Sequence, residues 1–289
     1  MAGGSPLTRV LAAVDLTPMG RRVADRARLL AEANGAALTL VHVVEAGSDQ
    51  LMSPVERAEL RLAAKDTAVH LAEWIQSRCS IDVDLVTPRG NPVRQIAKLA
   101  KESDVVLAGT SSIDSSHVGP VTRRLARMSR VGVIAVRRQP RGPYRRVLAA
   151  VDLSDSSRQA VDLALRLAPD AEIIATYAVA SRFDPMLADA GMSPERIDEL
   201  RTKRIAHAKQ AMEEFVAPWP TVVAQVVSGP PSEALSEAVR RGSCDLVAVA
   251  NRGGGGDSMV LLGAVAEEVM QSAPCDVAVA RVESVFRRP

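Results

Sequence analysis

The sequence predicts an α/β protein made of two repeated, doubly wound domains, each a parallel sheet with helices on both faces. Three observations support this prediction. The segment RVLAAVDLT at Arg9 recurs as RVLAAVDLS at Arg146. Short apolar runs alternate with amphipathic segments in both halves, which is typical of parallel strands joined by right-handed crossover helices. A chain of 289 residues is also long enough for two domains of ordinary size.

The first repeat opens with VLAAVD, an apolar run that predicts a strand buried on both faces. MGRRVADRARLLAEANG predicts a helix that ends at Gly35, and ALTLVHVV predicts the second strand. Ser53, Pro54 and Glu56 supply a capping residue, a first-turn proline and a capping-box glutamate. They predict the start of a long helix that reaches about Arg78.

The alternation continues to the end of the repeat. IDVDLV predicts a third strand at an edge, and Asn91 with Pro92 predicts the start of the next helix. DVVLAG predicts the fourth strand, PVTRRLARMSR the fourth helix and VGVIAV the fifth strand. The second repeat follows the same order, because its landmarks recur at nearly constant spacing: Ser193, Gly229, Asp245 and Gly263 correspond to Ser53, Gly90, Asp104 and Gly119.

The segment RRQPRGPYRR, from Arg137 to Arg146, interrupts the apolar periodicity with two prolines and a glycine. We predict a first domain over residues 1–138, a linker over 139–145 and a second domain over 146–289. The arginine cluster is compatible with contact to nucleic acid, although a solvated connection is the simpler interpretation.

Composition narrows the class of function. A net charge of +2 indicates no basic face for nucleic acid. The sequence contains no run of about 18 apolar residues, the length that would indicate a membrane span. The first ten residues, MAGGSPLTRV, show no signal-peptide pattern. The three cysteines are far apart and show no CxxC spacing, so we expect neither disulfides nor a zinc site. These features predict a cytoplasmic protein.

Ligands of doubly wound sheets bind beyond the carboxyl ends of the strands, where the strand order reverses. The candidates are therefore Asp15 and Gly109 in the first repeat, and Asp152 with the segment from Ala250 to Gly256 in the second. For Asp15 and Asp152, capping of the following helix is an alternative to ligand contact.

The sequence resembles the universal stress protein family in its tandem form. The segments that carry the resemblance are the strand end VDLS, the HV that closes strand two, the glycine-rich loop after strand four and the closing APCDVAVA. The resemblance covers about Leu7 to Val282 and implies sheets with strand order 3-2-1-4-5. In one branch of the family it also implies ATP or AMP bound by a G-x2-G-x9-G-[ST] loop. Glycines let backbone N–H groups approach the phosphates, which also meet a helix N-terminus.

The second repeat matches this loop in part. Gly253 and Gly263 have the family's spacing, and Gly254 adds a further bare backbone amide. Ala250 replaces the first glycine, and Ala264 replaces the hydroxyl residue. The loss of one hydrogen bond to a charged group costs roughly 1.5–3 kcal/mol. A loop that holds no ligand is the alternative interpretation.

The first repeat departs further from the pattern. Gly109 and Gly119 are present, but Ser112 replaces the middle glycine and Pro120 follows Gly119. Proline offers phosphate neither an N–H nor a hydroxyl group. The loop is also shorter and rich in serine. We expect this domain to bind nucleotide poorly or not at all.

The resemblance further implies that adenine contacts Asp15 and Val43 in the first domain. The corresponding contacts in the second domain are Asp152 and the backbone of Ala178. The predicted function is therefore a stress-response module that binds ATP or AMP, or another small molecule, in domain 2. The alternative is a ligand-free structural or interaction module with degenerate pockets.

We expect no enzymatic activity beyond weak ATP hydrolysis. The chain has neither a nucleophile elbow nor a Walker lysine motif, and its four histidines lack metal-ligand spacing. The exposed fifth strands, VGVIAV and CDVAVA, predict an intramolecular pseudo-dimer, since relatives pair through this edge. A homodimer of chains is compatible with the sequence.

Overall fold

The computed structural model describes residues 5–45, 52–110, 118–180, 184–251 and 263–281. The chain divides into two compact units, and the division falls between Pro143 and Tyr144. Within each unit five parallel strands form a sheet with the order that the resemblance implied. The predicted fold class is confirmed.

The first unit, domain 1, has the strand order β3-β2-β1-β4-β5. A short 3-10 turn at Ala100–Glu102 follows its third helix. The elements in chain order are β1 (Arg9–Ala13), α1 (Pro18–Asn34), β2 (Ala37–Val41), α2 (Pro54–Gln76), β3 (Val83–Val86), α3 (Pro92–Leu99), β4 (Val105–Gly109), α4 (Pro120–Met128) and β5 (Gly132–Val136).

The second unit, domain 2, has the equivalent strand order β8-β7-β6-β9-β10. Its elements are β6 (Arg146–Val151), α5 (Asp155–Leu167), β7 (Glu172–Val179), α6 (Asp184–Asp189), α7 (Pro194–Val216), β8 (Val222–Ser228), α8 (Pro231–Arg241), β9 (Leu246–Ala250), α9 (Ala264–Ser272) and β10 (Asp276–Ala280). The short helix α6 was not predicted, because its six residues are too few to show a clear helical period.

The end of α1 and the start of α2 lie where the local sequence signals predicted them. Gly35 follows α1 in the left-handed conformation with φ of 62°, and its N–H contacts the last carbonyls of the helix. Ser53 and Glu56 form the reciprocal hydrogen bonds of a capping box at the start of α2. The helix ends at Gln76, slightly before the predicted position.

A repeated aspartate connects the starts of the first and fourth strands in each domain. In domain 1, Asp104 Oδ2 accepts hydrogen bonds from Thr8 N at 2.7 Å and Arg9 N at 2.9 Å. In domain 2, Asp245 accepts them from Arg145 N at 2.9 Å and Arg146 N at 3.3 Å. These bonds hold together the amino ends of the two central strands, between which the strand order of the sheet reverses. The carboxyl ends of the same two strands border the crevice, so the bonds help to position it.

The sheets carry the apolar core. All residues of β5 and β10 are buried, as are the middle residues of β1, β4, β6 and β9. The three cysteines are free thiols, and burial raises the pKa of Cys244 to about 11, which keeps it protonated. Among the described residues no helix has both the length and the apolar character needed to cross a membrane.

Candidate functional site

Each domain has a cavity at the carboxyl ends of its strands. The domain 1 cavity has a volume of about 300 Å³, and the predicted residues that line it are Asp15, Val43, Gly109 and Gly119. The domain 2 cavity has a volume of about 340 Å³, and the predicted residues that line it are Asp152, Ala178, Gly263 and Ala264. Gly253 and Gly254, which were also predicted, lie outside the described residues.

The aspartate after the first strand positions the cap of the next helix. Asp15 Oδ1 accepts hydrogen bonds from the N–H of Thr17 at 3.2 Å and from its hydroxyl at 2.6 Å. The Thr17 side chain in turn accepts a hydrogen bond from Met19 N and caps α1. Asp152 accepts the same two hydrogen bonds from Ser154, which caps α5.

Capping and ligand contact are therefore compatible at these positions. The cap itself is the hydroxyl residue, and the aspartate holds that hydroxyl through a single carboxylate oxygen. Both aspartates are exposed in the structure. At Asp15 a ligand in the cavity can therefore approach the carboxylate without displacing the capping bond.

The helix after the fourth strand begins at each cavity, and no side chain of the described residues caps its N-terminus. Gly119 precedes α4 and Gly263 precedes α9, and neither residue can supply a capping side chain. Helix N-termini without such caps direct N–H groups and a partial positive charge outward. The first residue of α9 is Ala264, which has an N–H, whereas α4 begins with Pro120, which has none.

The two cavities differ where the first helix meets the end of the fourth strand. A Cβ atom on Gly109 would lie 2.5 Å from Met19 Cγ, so this glycine is needed for close packing against α1. Domain 2 has Ala250 at the corresponding strand end and Ser156 at the position that corresponds to Met19. A large side chain beside glycine in domain 1 is thus replaced by two small side chains, one of them polar.

The charge of the described lining also differs. Asp15 and Glu45 both line the domain 1 cavity, whereas Asp152 is the one acidic residue among the described residues around the domain 2 cavity. Within the described ranges neither lining includes lysine or arginine. A second carboxylate makes the domain 1 cavity less favourable for a phosphate group.

Sequence reasoning missed Glu45, Met19 and Ser156 as lining residues. Glu45 follows the second strand, and Met19 and Ser156 each lie two residues beyond a capping hydroxyl. The sequence signal that could have identified them is their position two residues after Val43, Thr17 and Ser154. None of the three belongs to the family's loop pattern.

His42 has a structural contact at the domain 1 cavity. Its Nδ1 lies 3.1 Å from the carbonyl oxygen of Val14, and its backbone N–H donates to Val86 O at 3.1 Å. These contacts connect the ends of the first three strands. In the part of the chain that the structure describes, no three His, Cys, Asp or Glu residues are grouped as a metal site would require.

Comparison with known proteins agrees with this architecture. The sequence model of the universal stress protein family matches the chain twice, over residues 6–137 and 143–281. A universal stress protein of Methanocaldococcus jannaschii is 30% identical over 142 residues, which cover 48% of this chain and 82% of that protein.

Two solved structures share the fold over nearly the whole chain. A universal stress protein from Archaeoglobus fulgidus superposes with a TM-score of 0.71 at 18% identity, covering 94% of this chain and 98% of that one. A functionally unknown protein from Pseudomonas aeruginosa gives a TM-score of 0.61 at 16% identity, with coverage of 95% and 92%. With both family matches and the repeated sheet topology, the chain belongs to the universal stress protein family and contains two domains of that family.

Proposed function

We propose that this protein is a cytoplasmic stress-response module that binds ATP or AMP in the cavity of domain 2. One observation carries the proposal: Asp152 and the N-terminus of α9, which begins after Gly263, line the same cavity of about 340 Å³. A volume of this order falls at the lower end of small-molecule sites in proteins.

The N-terminus of α9 supplies the phosphate end of the proposed site. Ala264, Val265 and Ala266 line the cavity and form the first turn of the helix, where backbone N–H groups lack partners from the preceding turn. The sequence adds Gly253 and Gly254 in the loop before this helix. Such a combination of bare amides and helix dipole favours anions without a basic side chain.

The opposite part of the cavity suits an adenine ring. Val151, Leu235 and Val249 supply apolar walls, and Asp152 and Ala178 supply polar groups at the ends of the first two strands. A carboxylate can accept a hydrogen bond from the base or the ribose, while the backbone of Ala178 can contact the edge of the base. Apolar walls with a few polar groups are typical of such sites.

Three features favour domain 2 over domain 1 as the site of nucleotide binding. Pro120 removes one amide from the first turn of α4, Glu45 adds a negative charge to the lining, and Met19 occupies the position of Ser156. Each change disfavours a polyanionic ligand in domain 1. We therefore propose that one nucleotide binds per chain.

Calorimetric titration of the full chain with ATP and AMP tests this proposal through a matched pair of variants. Asp152→Ala is expected to weaken nucleotide binding by at least about tenfold, since a hydrogen bond to a charged group is worth roughly 1.5–3 kcal/mol. Asp15→Ala removes the equivalent capping support from domain 1 and is expected to leave binding unchanged.

The two variants lose equivalent hydrogen bonds to the capping residue, so an effect of weakened helix capping would appear in both. Equal weakening by Asp15→Ala would contradict the preference for domain 2. No heat with either nucleotide at millimolar concentration would instead support the ligand-free alternative. We propose binding without efficient turnover, and steady release of ADP or phosphate from ATP would contradict that part.

We also propose that the two domains pair through β5 and β10 as an intramolecular pseudo-dimer. Each is the last strand in the order of its own domain, and each is an apolar strand. In a parallel sheet, alternate residues direct their N–H groups to opposite sides. Pairing predicts slow hydrogen exchange at every amide from Gly132 to Val136 in the full chain. Rapid exchange at alternate residues would exclude it.

A further inference from the structure

Helices α3 and α4 form a basic face of domain 1. They pack against each other, as α1 and α2 do. The crossovers through α3 and α4 run across the sheet in the opposite direction to those through α1 and α2, so the two pairs of helices cover opposite faces. The α3–α4 face, defined as α3, the 3-10 turn after it and α4, has one acidic residue, Glu102. Its basic residues are Arg94, Lys98, Lys101, Arg123, Arg124 and Arg127.

The equivalent face of domain 2, formed by α8 and α9, is acidic overall. These helices also pack against each other. Helices α3 and α8 both begin with proline two residues after a glycine of positive φ, and α4 and α9 both have nine residues and directly follow a glycine. Positions in the two faces therefore correspond one to one. The buried residues of α4 and α9 agree with this alignment and are, in equivalent order, Thr122 and Ala266, Leu125 and Val269, and Ala126 and Met270.

Charges on α3 and α8 have opposite signs at three equivalent positions. At intervals of four residues α3 and its 3-10 turn have the order basic, basic, acidic, whereas α8 has the order acidic, acidic, basic. Residues at this interval lie along one side of a helix. The equivalent pairs are Arg94 and Glu233, Lys98 and Glu237, and Glu102 and Arg241.

Helices α4 and α9 show the same inversion. Arg123 and Arg124 of α4 correspond to Glu267 and Glu268 of α9. Both domains have the same fold, so the fold requires neither sign at these positions. The net charge of +2 conceals the difference, because the charges of the two faces partly cancel in the total.

Charges on both faces are accessible to a partner. Arg94 and Arg124 in domain 1, and Glu233 and Glu268 in domain 2, are exposed. Within the described ranges none of these four side chains forms an ion pair. An opposite charge on a second molecule can therefore approach them without breaking an ion pair within the chain.

We propose that the α3–α4 face of domain 1 binds the α8–α9 face of domain 2 in a second copy of the chain. One contact of this kind explains both sets of charges, because each face supplies the opposite charge that the other lacks. A polyanion such as double-stranded DNA would explain the basic face alone. The proposal goes beyond nucleotide binding and does not depend on it.

Two chains can make this contact twice, since each has one face of either sign, and the pair then closes as a two-fold dimer. An exposed ion pair contributes little to binding, so several must act together. Each face also has one exposed large apolar side chain, Met128 at 51% and Val265 at 39%. We expect dissociation in the micromolar range at low salt, and association weaker by at least about tenfold in about 1 M salt, where charges are screened beyond about 3 Å.

Sedimentation velocity of the full chain across the micromolar range tests the association. At low salt the wild-type protein is expected to shift from monomer to dimer as its concentration rises, and about 1 M sodium chloride is expected to shift it back to monomer. A wild-type protein that is monomeric at low salt, or a dimer that is insensitive to salt, would overturn the proposal.

Two double variants locate the contact. One is Arg94→Glu with Arg124→Glu, and the other is Glu233→Arg with Glu268→Arg. Each reverses two charges on one face and is expected to raise the dissociation constant by at least about tenfold. The unfolding midpoint is expected to stay nearly unchanged, since all four side chains are exposed. A double variant that dimerises as the wild type does would contradict the proposal.

The matched control is Lys203→Glu with Lys209→Glu. Both lysines are exposed on α7, outside the two faces, and their replacement makes the same change in net charge as the domain 1 double variant. The control is expected to dimerise as the wild type does. Equal weakening by the control would mean that total charge, and not the two faces, governs association.

Mixing two fourfold variants shows whether the contact joins two chains. The first makes the domain 1 face acidic through Arg94→Glu, Lys98→Glu, Arg123→Glu and Arg124→Glu. The second makes the domain 2 face basic through Glu233→Arg, Glu237→Lys, Glu267→Arg and Glu268→Arg. Each variant alone has two faces of like sign and is expected to be monomeric, whereas an equimolar mixture is expected to form a mixed dimer. A mixture that stays monomeric, while each variant unfolds cooperatively, would overturn the proposal. If a fourfold variant does not fold, the double variants decide.

Double-stranded DNA is the competing partner for the basic face. Fluorescence anisotropy with a labelled duplex of arbitrary sequence at low salt measures this binding. The proposal would be overturned by a wild-type protein that stays monomeric and binds the duplex, with binding lost in Arg94→Glu with Arg124→Glu. That result would assign the α3–α4 face to nucleic acid.

Discussion

Replacement of Gly20 by alanine is expected to destabilise domain 1 by about 3 kcal/mol, because the added methyl group has no space. A Cβ atom at this position would lie 1.9 Å from the carbonyl oxygen of Asp15 and 2.7 Å from its Oδ1. The obstructing atom is backbone, so it cannot move aside as a flexible side chain would. The strand end and the first turn of α1 would have to separate.

Domain 2 shows how the chain accommodates a side chain at the equivalent position. Ser157 is the third residue after the capping hydroxyl of α5, as Gly20 is in α1, and its own hydroxyl donates to Ser154 O at 2.8 Å. There the connecting residue Leu153 adopts a left-handed conformation with φ of 63°. A left-handed leucine costs about 1–2 kcal/mol, so this arrangement has an energetic cost of its own.

Gly35→Ala, directly after the end of the same helix, is the matched control for the Gly20 variant. No atom lies within 4 Å of a Cβ at Gly35, so the only cost is the left-handed φ of 62°, about 1 kcal/mol. Each domain contains one of the two tryptophans, Trp74 and Trp219, which allows the domains to be followed separately by fluorescence.

The measurement is urea unfolding of single-tryptophan proteins in which the other tryptophan is replaced by phenylalanine. Gly20→Ala is expected to lower the midpoint reported by Trp74 well below the value for Gly35→Ala. If the two variants have equal midpoints, the close approach between α1 and Asp15 is not a steric requirement.

Much of the fold could be predicted because its signals are local. Gly35 ends α1 through a conformation that glycine adopts at low cost, and Ser53 with Glu56 starts α2 through bonds within one turn. Because RVLAAVDL occurs in both halves of the chain, each element predicted in one repeat could be compared with its equivalent in the other repeat. The carboxyl ends of the strands then placed Asp15 and Gly109 around one cavity.

The rest of the site depends on contacts between residues that are distant in sequence. Gly109 belongs to the family's loop pattern, but in this structure its lack of a side chain also allows Met19 to pack against the strand end. No pattern in either segment reveals this contact, because 90 residues of helix and strand must fold before the two meet. The helix α6 was missed because it is short.

Replacement of Ala264 by serine is expected to strengthen nucleotide binding in domain 2 by about tenfold or more. Ala264 is the first residue of α9, is exposed and lines the cavity. A hydroxyl group at this position can donate to a phosphate oxygen, and a hydrogen bond to a charged group contributes roughly 1.5–3 kcal/mol. Serine is well tolerated near the start of a helix, so the expected change in stability is small.

A threonine and valine pair at the same position isolates the hydroxyl group. Ala264→Thr and Ala264→Val differ by one hydroxyl in place of a methyl, so steric effects largely cancel between them. Calorimetric titration with ATP is expected to show tighter binding for Ala264→Thr than for Ala264→Val. The equivalent change in domain 1, Pro120→Ser, restores both an N–H and a hydroxyl group to the first turn of α4.

The Pro120→Ser variant shows whether the hydrogen-bond donors at the start of α4, or the charge and size of the cavity lining, decide which domain binds nucleotide. If Pro120→Ser creates a second nucleotide site, the donors missing from α4 alone account for the proposed preference for domain 2. If it does not, the two other differences of the domain 1 cavity, the Glu45 carboxylate and the bulk of Met19, would account for the preference for domain 2. Equal affinities of the three Ala264 variants and the wild type would mean that no phosphate contacts α9, and the proposed site in domain 2 would be wrong.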